Sequence, residues 1–310
     1  MATILITTST FAVEGEESLR LLEKAGYHAV QNPHKRTLTE SEVEALIARC
    51  QPVALIAGLE PLTERVMKVH AGLKVISRCG VGLDNVDLSA SQRLGIRVFT
   101  TPNAPTQPVA ELTLGFMFGL IRHIPFSDHK IRDGEWKKTM GYLFEELVVG
   151  IIGVGRIGKK VAAMCRALGA KVIASDVKPD RDWASQQSVE LLDRDDLIRQ
   201  ADILSLHLPY ATDDLYHLIG PRQLSMMKRG SYLINTSRGG LVDEQALCES
   251  IQNGHLAGAA IDTFEKEPYD GPLRRLDRVI LSPHAGSYAR AARMRMEREA
   301  TENAIAGLHA

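Results

Sequence analysis

The stretch VVGIIGVGRIGKKVAAMCRAL, residues 148–168, decides the fold. Its first five residues form an apolar run of strand length, and glycines follow at positions 153, 155 and 158. The remainder has the spacing of an amphipathic helix. A buried strand that turns through glycines directly into a helix is the opening unit of a parallel α/β sheet. We therefore predict a doubly wound sheet that begins at Val148.

The same alternation of strand and helix continues towards the C-terminus. The apolar runs of strand length in this part are KVIAS (171–175), ILSLH (203–207), YLINT (232–236), AGAAIDTF (257–264) and RVILSP (278–283). Stretches of helix length separate most of them, and residues 290–307 form a final helix-like segment. This part of the chain should build one parallel sheet with crossover helices.

A second α/β rhythm precedes the glycine turn. The predicted strands are 3–7, 28–32, 54–57 and 75–78, and the predicted helices are 16–25, 40–50 and 64–69. Residues 101–108, TPNAPTQP, contain three prolines and suit a hinge. The almost wholly apolar stretch 109–121 is either a core helix or a helix that also contacts a second subunit.

Composition narrows the class of protein. The 310 residues are enough for two domains, and 37 Lys and Arg nearly balance 38 Asp and Glu, so neither nucleic acid nor a membrane surface is an expected partner. The four cysteines are far apart, without C-x-x-C or His clusters, which favours reduced thiols and no metal site. Neither a signal peptide nor a membrane span is evident, so we expect a cytoplasmic protein.

The glycine turn has the G-x-G-x-x-G spacing of dinucleotide-binding sites. Gly153 would permit the tight turn, Gly155 would let a pyrophosphate approach the backbone, and Gly158 would let helix and strand pack closely. Asp176 ends the next strand, near the spacing at which an acid binds the ribose hydroxyls. Its charge would repel a 2′-phosphate, so NAD is favoured over NADP; Lys178 could partly offset that repulsion.

Three polar residues lie at predicted strand ends, where open α/β sheets bind ligands. Arg238 follows the run at 232–234, Glu267 precedes Pro268, and His284 follows Pro283. A nicotinamide enzyme that acts on a hydroxy acid needs a base, a cation for the substrate carboxylate and a group that tunes the base. Taken singly, a glutamate before a proline is more often a solvated turn residue, and a histidine such as His284 is more often a surface or packing residue.

The ordered motifs resemble the D-isomer-specific 2-hydroxyacid dehydrogenase family, most closely its phosphoglycerate dehydrogenase branch. They are CGVGLDNVD (79–87), VAE (109–111), the glycine turn, NTSRGG (235–240), DTFEKEP (262–268) and SPHAG (282–286). The resemblance implies two doubly wound domains with a cleft between them. Residues 1–98 and 284–310 would form a flavodoxin-like substrate domain, and residues 99–283 a Rossmann NAD-binding domain.

The resemblance also implies roles for individual residues. His284 matches the acid/base histidine, Glu267 its carboxylate partner, and Arg238 the arginine that binds the substrate carboxylate and polarises the carbonyl. The backbone of Gly80, Val81 and Gly82 matches a carboxylate cradle, and Asn103 also matches the substrate side. The further matched cofactor contacts are Arg156 and Ile157 over the pyrophosphate, Leu208 and Pro209 beside the adenine, and Thr236 and Asp262 near the nicotinamide.

Some residues receive no such support or depart from the pattern. His207, His217 and His255 are interpreted as packing or surface residues, although His207 could neighbour the adenine. Phosphoglycerate-specific relatives often carry arginine in the loop 58–63, whereas Glu60 here would repel a phosphate. Arg65, Arg78, or Lys137 and Lys138 of a partner subunit are alternative phosphate ligands.

The resemblance leaves the exact acid open. The substrate could be 3-phosphoglycerate, glyoxylate, hydroxypyruvate or a bulkier 2-keto acid. A non-enzymatic, corepressor-like NAD sensor is the rival from another class. The helix after Val109 would contribute to a homodimer. Because the chain ends soon after the His284 segment, inhibition by serine through an appended regulatory domain is not expected.

Overall fold

The computed structural model describes residues 1–209 and 213–309. The chain divides into two compact units, Met1–Pro105 with Ser287–Ala310, and Thr106–Gly286. These divisions fall a few residues beyond the predicted boundaries at 98 and 283. Each unit is an α/β layer structure around its own parallel sheet.

The strands follow the apolar runs of the sequence. They are β1 (Ala2–Ile6), β2 (Tyr27–Gln31), β3 (Ala54–Ala57), β4 (Val75–Arg78), β5 (Arg97–Thr100), β6 (Val148–Ile152), β7 (Lys171–Ser175), β8 (Glu190–Leu191), β9 (Ile203–Leu206), β10 (Tyr232–Asn235), β11 (Gly258–Ile261) and β12 (Val279–Leu281). The prediction from sequence missed β5 and β8. Both are short, and β5 is only half-buried, so neither shows a continuous apolar run.

The helices fill the stretches between the strands. They are α1 (Glu17–Lys24), α2 (Glu40–Cys50), α3 (Glu64–Met67), α4 (Leu88–Arg93), α5 (Thr106–Ile121), α6 (Ile124–Arg132), α7 (Arg156–Ala167), α8 (Arg181–Gln186), α9 (Arg194–Gln200), α10 (Pro221–Met226), α11 (Glu244–Gln252) and α12 (Arg290–His309). Short 3₁₀ turns occupy Phe144–Glu146, Asp213–Leu215, Gly239–Leu241 and Pro272–Arg275.

The first unit has a five-stranded sheet in the order β2-β1-β3-β4-β5. All its neighbouring strands pair in parallel. This is the flavodoxin-like order, which confirms the predicted class of this unit. The three central strands are the most deeply buried, and the residues that follow them, Thr7, Gly58 and Cys79, lie at the carboxyl edge.

The second unit has a seven-stranded parallel sheet in the order β12-β11-β10-β9-β6-β7-β8. The strand order reverses at β6, which pairs with β7 on one side and with β9 on the other. That switch point is where doubly wound sheets open a crevice for ligands. The predicted Rossmann architecture is therefore confirmed.

Helix α5 begins inside the segment that its prolines led us to predict as irregular. Pro108 lies in the first turn, where the missing N–H would have had no helical partner. Most side chains of α5 are buried within the chain, so it is a core helix, packed against α7.

In the described residues no single helix is long and apolar enough to cross a membrane. Two consecutive helices, Thr106–Ile121 and Ile124–Arg132, are together long and apolar enough to span a membrane by length and composition only, and the pair is bent by 58°. The first helix of that pair is the buried core helix α5.

Candidate active site

The glycine turn of the second unit joins β6 to the start of α7. Gly153 has φ +94°, and a Cβ there would lie 2.5 Å from the carbonyl oxygen of His207, so only glycine suits both the backbone and the space. A Cβ on Gly158 would overlap the Gly153 carbonyl. These two residues bring helix and strand together, as the spacing predicted.

Gly155 differs from the other two glycines of the turn, Gly153 and Gly158, because a Cβ there would meet nothing within 4 Å. It precedes α7, whose first residues Arg156 and Ile157 are exposed and half-buried. The first N–H groups of a helix have no intrahelical partner and carry the positive end of its dipole. Open space above such donors fits the pyrophosphate of a dinucleotide.

Asp176 follows β7 and is half-buried beside the glycine turn. Its Oδ2 accepts the backbone N–H of Val154 at 2.6 Å, and its Oδ1 accepts that of Lys178 at 2.8 Å. Each carboxylate oxygen has a second lone pair, so the side chain remains able to accept from a ligand hydroxyl. The fold therefore positions this acid next to the anion-binding turn.

Leu208 and Pro209 follow β9 on the other side of the turn. A side-chain carbon of Leu208 lies 2.8 Å from the position a Cβ on Gly153 would take. Leu208 is half-buried, whereas Pro209 is exposed. Leu208 thus forms one apolar wall of the site, and Pro209 borders residues outside the described part of the chain.

The carboxyl end of β10 carries Arg238. Asn235 donates from Nδ2 to the Arg238 carbonyl at 2.7 Å and accepts the Ser237 N–H at 3.0 Å, so its side chain shapes the turn. The Arg238 guanidinium donates to the Ser237 carbonyl at 2.7 Å. Thr236 lies beneath, with its hydroxyl 3.1 Å from that of Thr113 on α5. Arg238 is therefore held on a rigid turn.

The ends of β11 and β12 bring Glu267 and His284 together. His284 Nδ1 lies 3.0 Å from Glu267 Oε2 and 3.2 Å from Oε1. An ionised carboxylate only accepts hydrogen bonds, so Nδ1 carries a hydrogen and Nε2 is the nitrogen that can exchange a proton. The Phe264 N–H also donates to Glu267 Oε1 at 3.1 Å.

The pKa of Glu267 reflects these contacts. Burial opposes ionisation and would raise the pKa, but the hydrogen bond and charge of His284 outweigh it, with smaller help from the Phe264 N–H and the charge of Arg238. The net result is a pKa below the usual value. Glu267 is therefore a carboxylate at neutral pH, and it stabilises positive charge on the imidazole.

Asp262, almost fully buried, holds the turn that carries His284. Its carboxylate accepts from the Ser282 hydroxyl, from the Ala285 N–H at 2.7 Å and from the Gly286 N–H at 2.9 Å. This support role was missed in the sequence, where Asp262 was assigned only to the cofactor. An acid directly after a buried strand was the available signal, but nothing local indicated its partners.

Apart from Arg238, the residues expected to bind substrate lie in the first unit. Gly80 follows β4 with φ +152°, donates its N–H to the Arg78 carbonyl at 2.9 Å and accepts from the Thr101 N–H at 2.9 Å. The side chain of Val81 is 43% exposed. Gly82 is half-buried and Asn103 is exposed. All of them belong to loops at the carboxyl edge of the first sheet.

Glu60, which the sequence led us to expect would repel a phosphate, is buried in its loop. Only 1% of it is accessible, and its Oε1 accepts from the Thr7 hydroxyl and from the Gly58 N–H at 2.8 Å. Asn85 donates to the backbone carbonyls of Gly58 and Glu60. The side chain turns inward because the Thr7 hydroxyl and the Gly58 N–H donate to it, so Glu60 supports the loop from below.

A doubly wound sheet with a glycine turn, an open helix N-terminus and an acid at the next strand end defines a dinucleotide-binding protein. Residues 114–286 match the family model described as "D-isomer specific 2-hydroxyacid dehydrogenase, NAD binding domain". The chain is 38% identical over 305 residues to a glyoxylate reductase of Aeropyrum pernix, across 94% of this chain and 89% of that protein.

A second relative is a D-3-phosphoglycerate dehydrogenase of Methanocaldococcus jannaschii, 37% identical over 276 residues. The match covers 88% of this chain and 52% of that protein. The chain thus spans about half the length of the phosphoglycerate dehydrogenases that it matches.

Two solved structures share the fold. A protein from Thermus thermophilus has a TM-score of 0.90 at 34% identity, covering 99% of this chain and 97% of that one. A D-lactate dehydrogenase from Aquifex aeolicus, crystallised with NAD and lactic acid, has a TM-score of 0.82 at 27% identity, covering 96% and 93%. This chain belongs to the D-isomer specific 2-hydroxyacid dehydrogenase family, and its residues 114–286 are the NAD-binding domain.

Proposed function

We propose that this protein interconverts a D-2-hydroxy acid and a 2-keto acid by reversible hydride transfer between the acid and NAD(H). The observation that carries the proposal is the contact of His284 Nδ1 with Glu267 Oε2 at 3.0 Å, within the NAD-binding domain. Arg238 is positioned on a neighbouring strand end and lowers the pKa of Glu267 through its charge. A base, its tuning acid and a cation are the groups that this reaction requires.

Each catalytic residue has a defined task. NAD, when bound, would supply the hydride acceptor for oxidation of the alcohol carbon, and NADH the hydride donor for the reverse reaction. His284 Nε2 receives the hydroxyl proton during oxidation and returns it during reduction, while Glu267 stabilises the charged ring. Arg238 binds the substrate carboxylate, because its planar guanidinium donates two parallel hydrogen bonds.

The cofactor is held by residues around the glycine turn. Gly153, Gly155 and Gly158, with Arg156 and Ile157, surround the pyrophosphate, and the open space at Gly155 supports this assignment. Asp176 accepts from the ribose hydroxyls. Leu208 and Pro209 contact the adenine side, and Thr236 and Asp262 the nicotinamide side.

The first unit, Met1–Pro105 with Ser287–Ala310, is the substrate domain in this proposal. The loop of Gly80, Val81 and Gly82 binds the substrate carboxylate through the backbone N–H groups of Val81 and Gly82, because that of Gly80 donates to the Arg78 carbonyl, and Asn103 contacts the substrate. Small residues expose backbone donors to an anion, which supports a cradle at this loop.

We further propose that the substrate carries no phosphate. The loop 58–63 carries no arginine or lysine, and its one charged residue, Glu60, is a buried carboxylate that offers no donor to a phosphate. Arg65 pairs with Glu40 at 3.2 Å and with Glu44. Glyoxylate and hydroxypyruvate, the substrates named for several relatives, are the preferred candidates.

The active form in this proposal is a homodimer. The segment from α6 to residue 143 exposes large apolar side chains, among them Trp136 at 88% and Met140 at 91%. Several large exposed apolar side chains within one short segment are typical of protein interfaces. A second copy of the chain would cover them.

A panel of 2-keto acids with NADH, followed by loss of absorbance at the nicotinamide band, tests the proposal. Turnover of glyoxylate or hydroxypyruvate, and none of 3-phosphohydroxypyruvate, is expected. Bound NADH without turnover of any acid would contradict the enzymatic proposal and favour an NAD sensor. Turnover of the phosphorylated acid alone would overturn the substrate assignment.

A further inference from the structure

His217, interpreted from sequence as a packing or surface residue, lies at the junction of two loops that carry the proposed catalytic groups. Its backbone N–H donates to the Gly240 carbonyl at 2.8 Å, two residues beyond Arg238. Two residues further on, the Ile219 N–H donates to the Leu241 carbonyl at 2.9 Å, so this segment and the arginine loop are hydrogen-bonded at two points. The backbone of His217 is thus attached to the arginine loop.

The ring of His217 reaches the other loop. Nε2 forms a hydrogen bond with Glu265, and Nδ1 lies 3.6 Å from Asp243 Oδ2. Tyr216 stacks on the ring at a centroid distance of 3.9 Å. Glu244 adds a third carboxylate to this group, and its Oε1 accepts the Glu265 N–H at 2.9 Å. The ring therefore lies within a group of carboxylates and makes its closest contact with Glu265.

Glu265 is two residues before Glu267 on a segment that has little room to move. The Phe264 N–H donates to Glu267 at 3.1 Å, so Glu265 and Glu267 belong to an internally bonded turn. A Cβ on Gly239 would overlap the Phe264 carbonyl, which means that the arginine loop and this turn touch backbone to backbone. A displacement of Glu265 would therefore be transmitted to Glu267.

We propose that His217 is a positioning residue for the acid/base pair, because its ring anchors Glu265 and thereby holds Glu267 in contact with His284. This inference rests on the proposed function for its catalytic meaning. The anchoring itself is a property of the NAD-binding domain. Any substitution that keeps the backbone of residue 217 leaves its hydrogen bond to the Gly240 carbonyl in place, so loss of the ring acts mainly through the short contact with Glu265 and only weakly through the longer one with Asp243.

Two matched variants test this. His217→Asn removes the ring while tolerating the left-handed backbone, φ +51°, and Glu265→Gln removes the charge that the ring anchors. In each we expect kcat for a turned-over keto acid to fall roughly tenfold, because misplacing a catalytic group by a fraction of an ångström is costly. KM for the acid should change by less than about threefold, since Arg238 stays in place. The exposed His34→Asn is the control.

The titration of Glu267, followed by ¹³C NMR of labelled glutamate carboxyl groups, is the second readout. Its pKa should rise towards the ordinary value in both variants, as the hydrogen bond from His284 loosens. The double variant should resemble either single one, because both remove the same contact. An unchanged Glu267 titration with only a lower melting temperature would overturn the inference. Since this readout needs no turnover, it remains decisive even if no acid proves to be a substrate.

Discussion

Asp262 and His284 are joined through the backbone, where the His284 N–H donates to the Asp262 carbonyl at 2.8 Å. The Asp262 side chain then binds the N–H groups of the two residues that follow His284. His284 itself has φ +53°, a left-handed conformation that costs a non-glycine residue energy. The buried aspartate is the group that stabilises this turn.

Asp262→Asn should therefore weaken both the fold and catalysis. The NH₂ group of the new asparagine would face backbone N–H groups of Ala285 and Gly286, which are also donors. A buried donor is then left unpaired, which lowers the free energy of unfolding by about 1–3 kcal/mol. We expect kcat to fall on the order of ten- to a hundredfold as His284 shifts. Urea unfolding and steady-state kinetics measure the two effects. Ser282→Ala, which removes one donor to Asp262, should have a smaller effect on both quantities. An unchanged kcat in Asp262→Asn would refute the proposal that Asp262 supports the His284 turn.

His284→Asn should abolish most turnover while sparing cofactor binding. Asparagine tolerates the left-handed backbone, so the turn survives, but no group remains to exchange the proton. Loss of general acid–base catalysis costs about 10²–10⁴-fold in rate. Fluorescence titration should give an NADH Kd close to that of the wild type. If the affinity for NADH collapsed together with kcat, the acid/base assignment would lose its support.

Asp176→Asn should relax discrimination against NADPH. The amide removes the charge that repels a 2′-phosphate, while its oxygen still accepts one of the two backbone N–H groups held by Asp176. The ratio of kcat/KM for NADH to that for NADPH should fall by about tenfold or more, which corresponds to roughly 1.4 kcal/mol. Asp176→Ala, which also frees the turn, should bind both cofactors more weakly. An undiminished NADH preference in the asparagine variant would mean that another group selects the cofactor.

His207 should make the protein sensitive to acid. Burial lowers the pKa of His207 from its ordinary value of 6.5 to about 3, so the folded protein keeps the ring neutral. Between these values the unfolded chain binds a proton that the folded chain does not, and stability falls as pH decreases. The slope is at most about 1.4 kcal/mol per pH unit, because a single proton is taken up.

The comparison of His207→Gln with the wild type at pH 7 and pH 5 isolates this effect. Urea unfolding should show a smaller loss of stability on acidification in the variant. Equal losses in the two proteins would indicate that other groups cause the acid sensitivity.

Substitution of the exposed apolar segment should disrupt the proposed homodimer. Trp136→Glu combined with Met140→Glu places two charges where a second copy would exclude water, and an unpaired buried charge is strongly unfavourable. Light scattering after size exclusion should then report the monomer mass. Val13→Glu, at a residue 71% exposed in the other unit, is the control. A monomeric wild type would contradict the dimer proposal directly.

Most elements of the fold were predictable because the signals are local. Helix Glu40–Cys50 and strands Ala54–Ala57 and Val75–Arg78 lie where the apolar pattern placed them. The start of α5 was not predictable from the sequence, because proline usually breaks a helix. Pro108 is tolerated because it lies in the first turn. Strand β8, with two residues, is too short for any periodic pattern.

The candidate active site also contains some features that the sequence predicted and others that it did not. The chain order of the motifs was enough to predict the glycine turn and to name Arg238, Glu267 and His284. It did not reveal that Asp262 binds the His284 turn, or that His217 bonds to Glu265, since these partners are far apart in sequence. Such contacts depend on which strand ends the sheet order brings together.

Glu60 shows most clearly which features the sequence alone did not determine. The sequence alone determined that a carboxylate, and no arginine, occupies this loop. Only the tertiary structure decided that the carboxylate turns inward, because its donors Thr7 and Gly58 come from the ends of two neighbouring strands. Composition and spacing determine which groups a chain carries, whereas the direction of a buried polar side chain is determined by the donors that packing places around it.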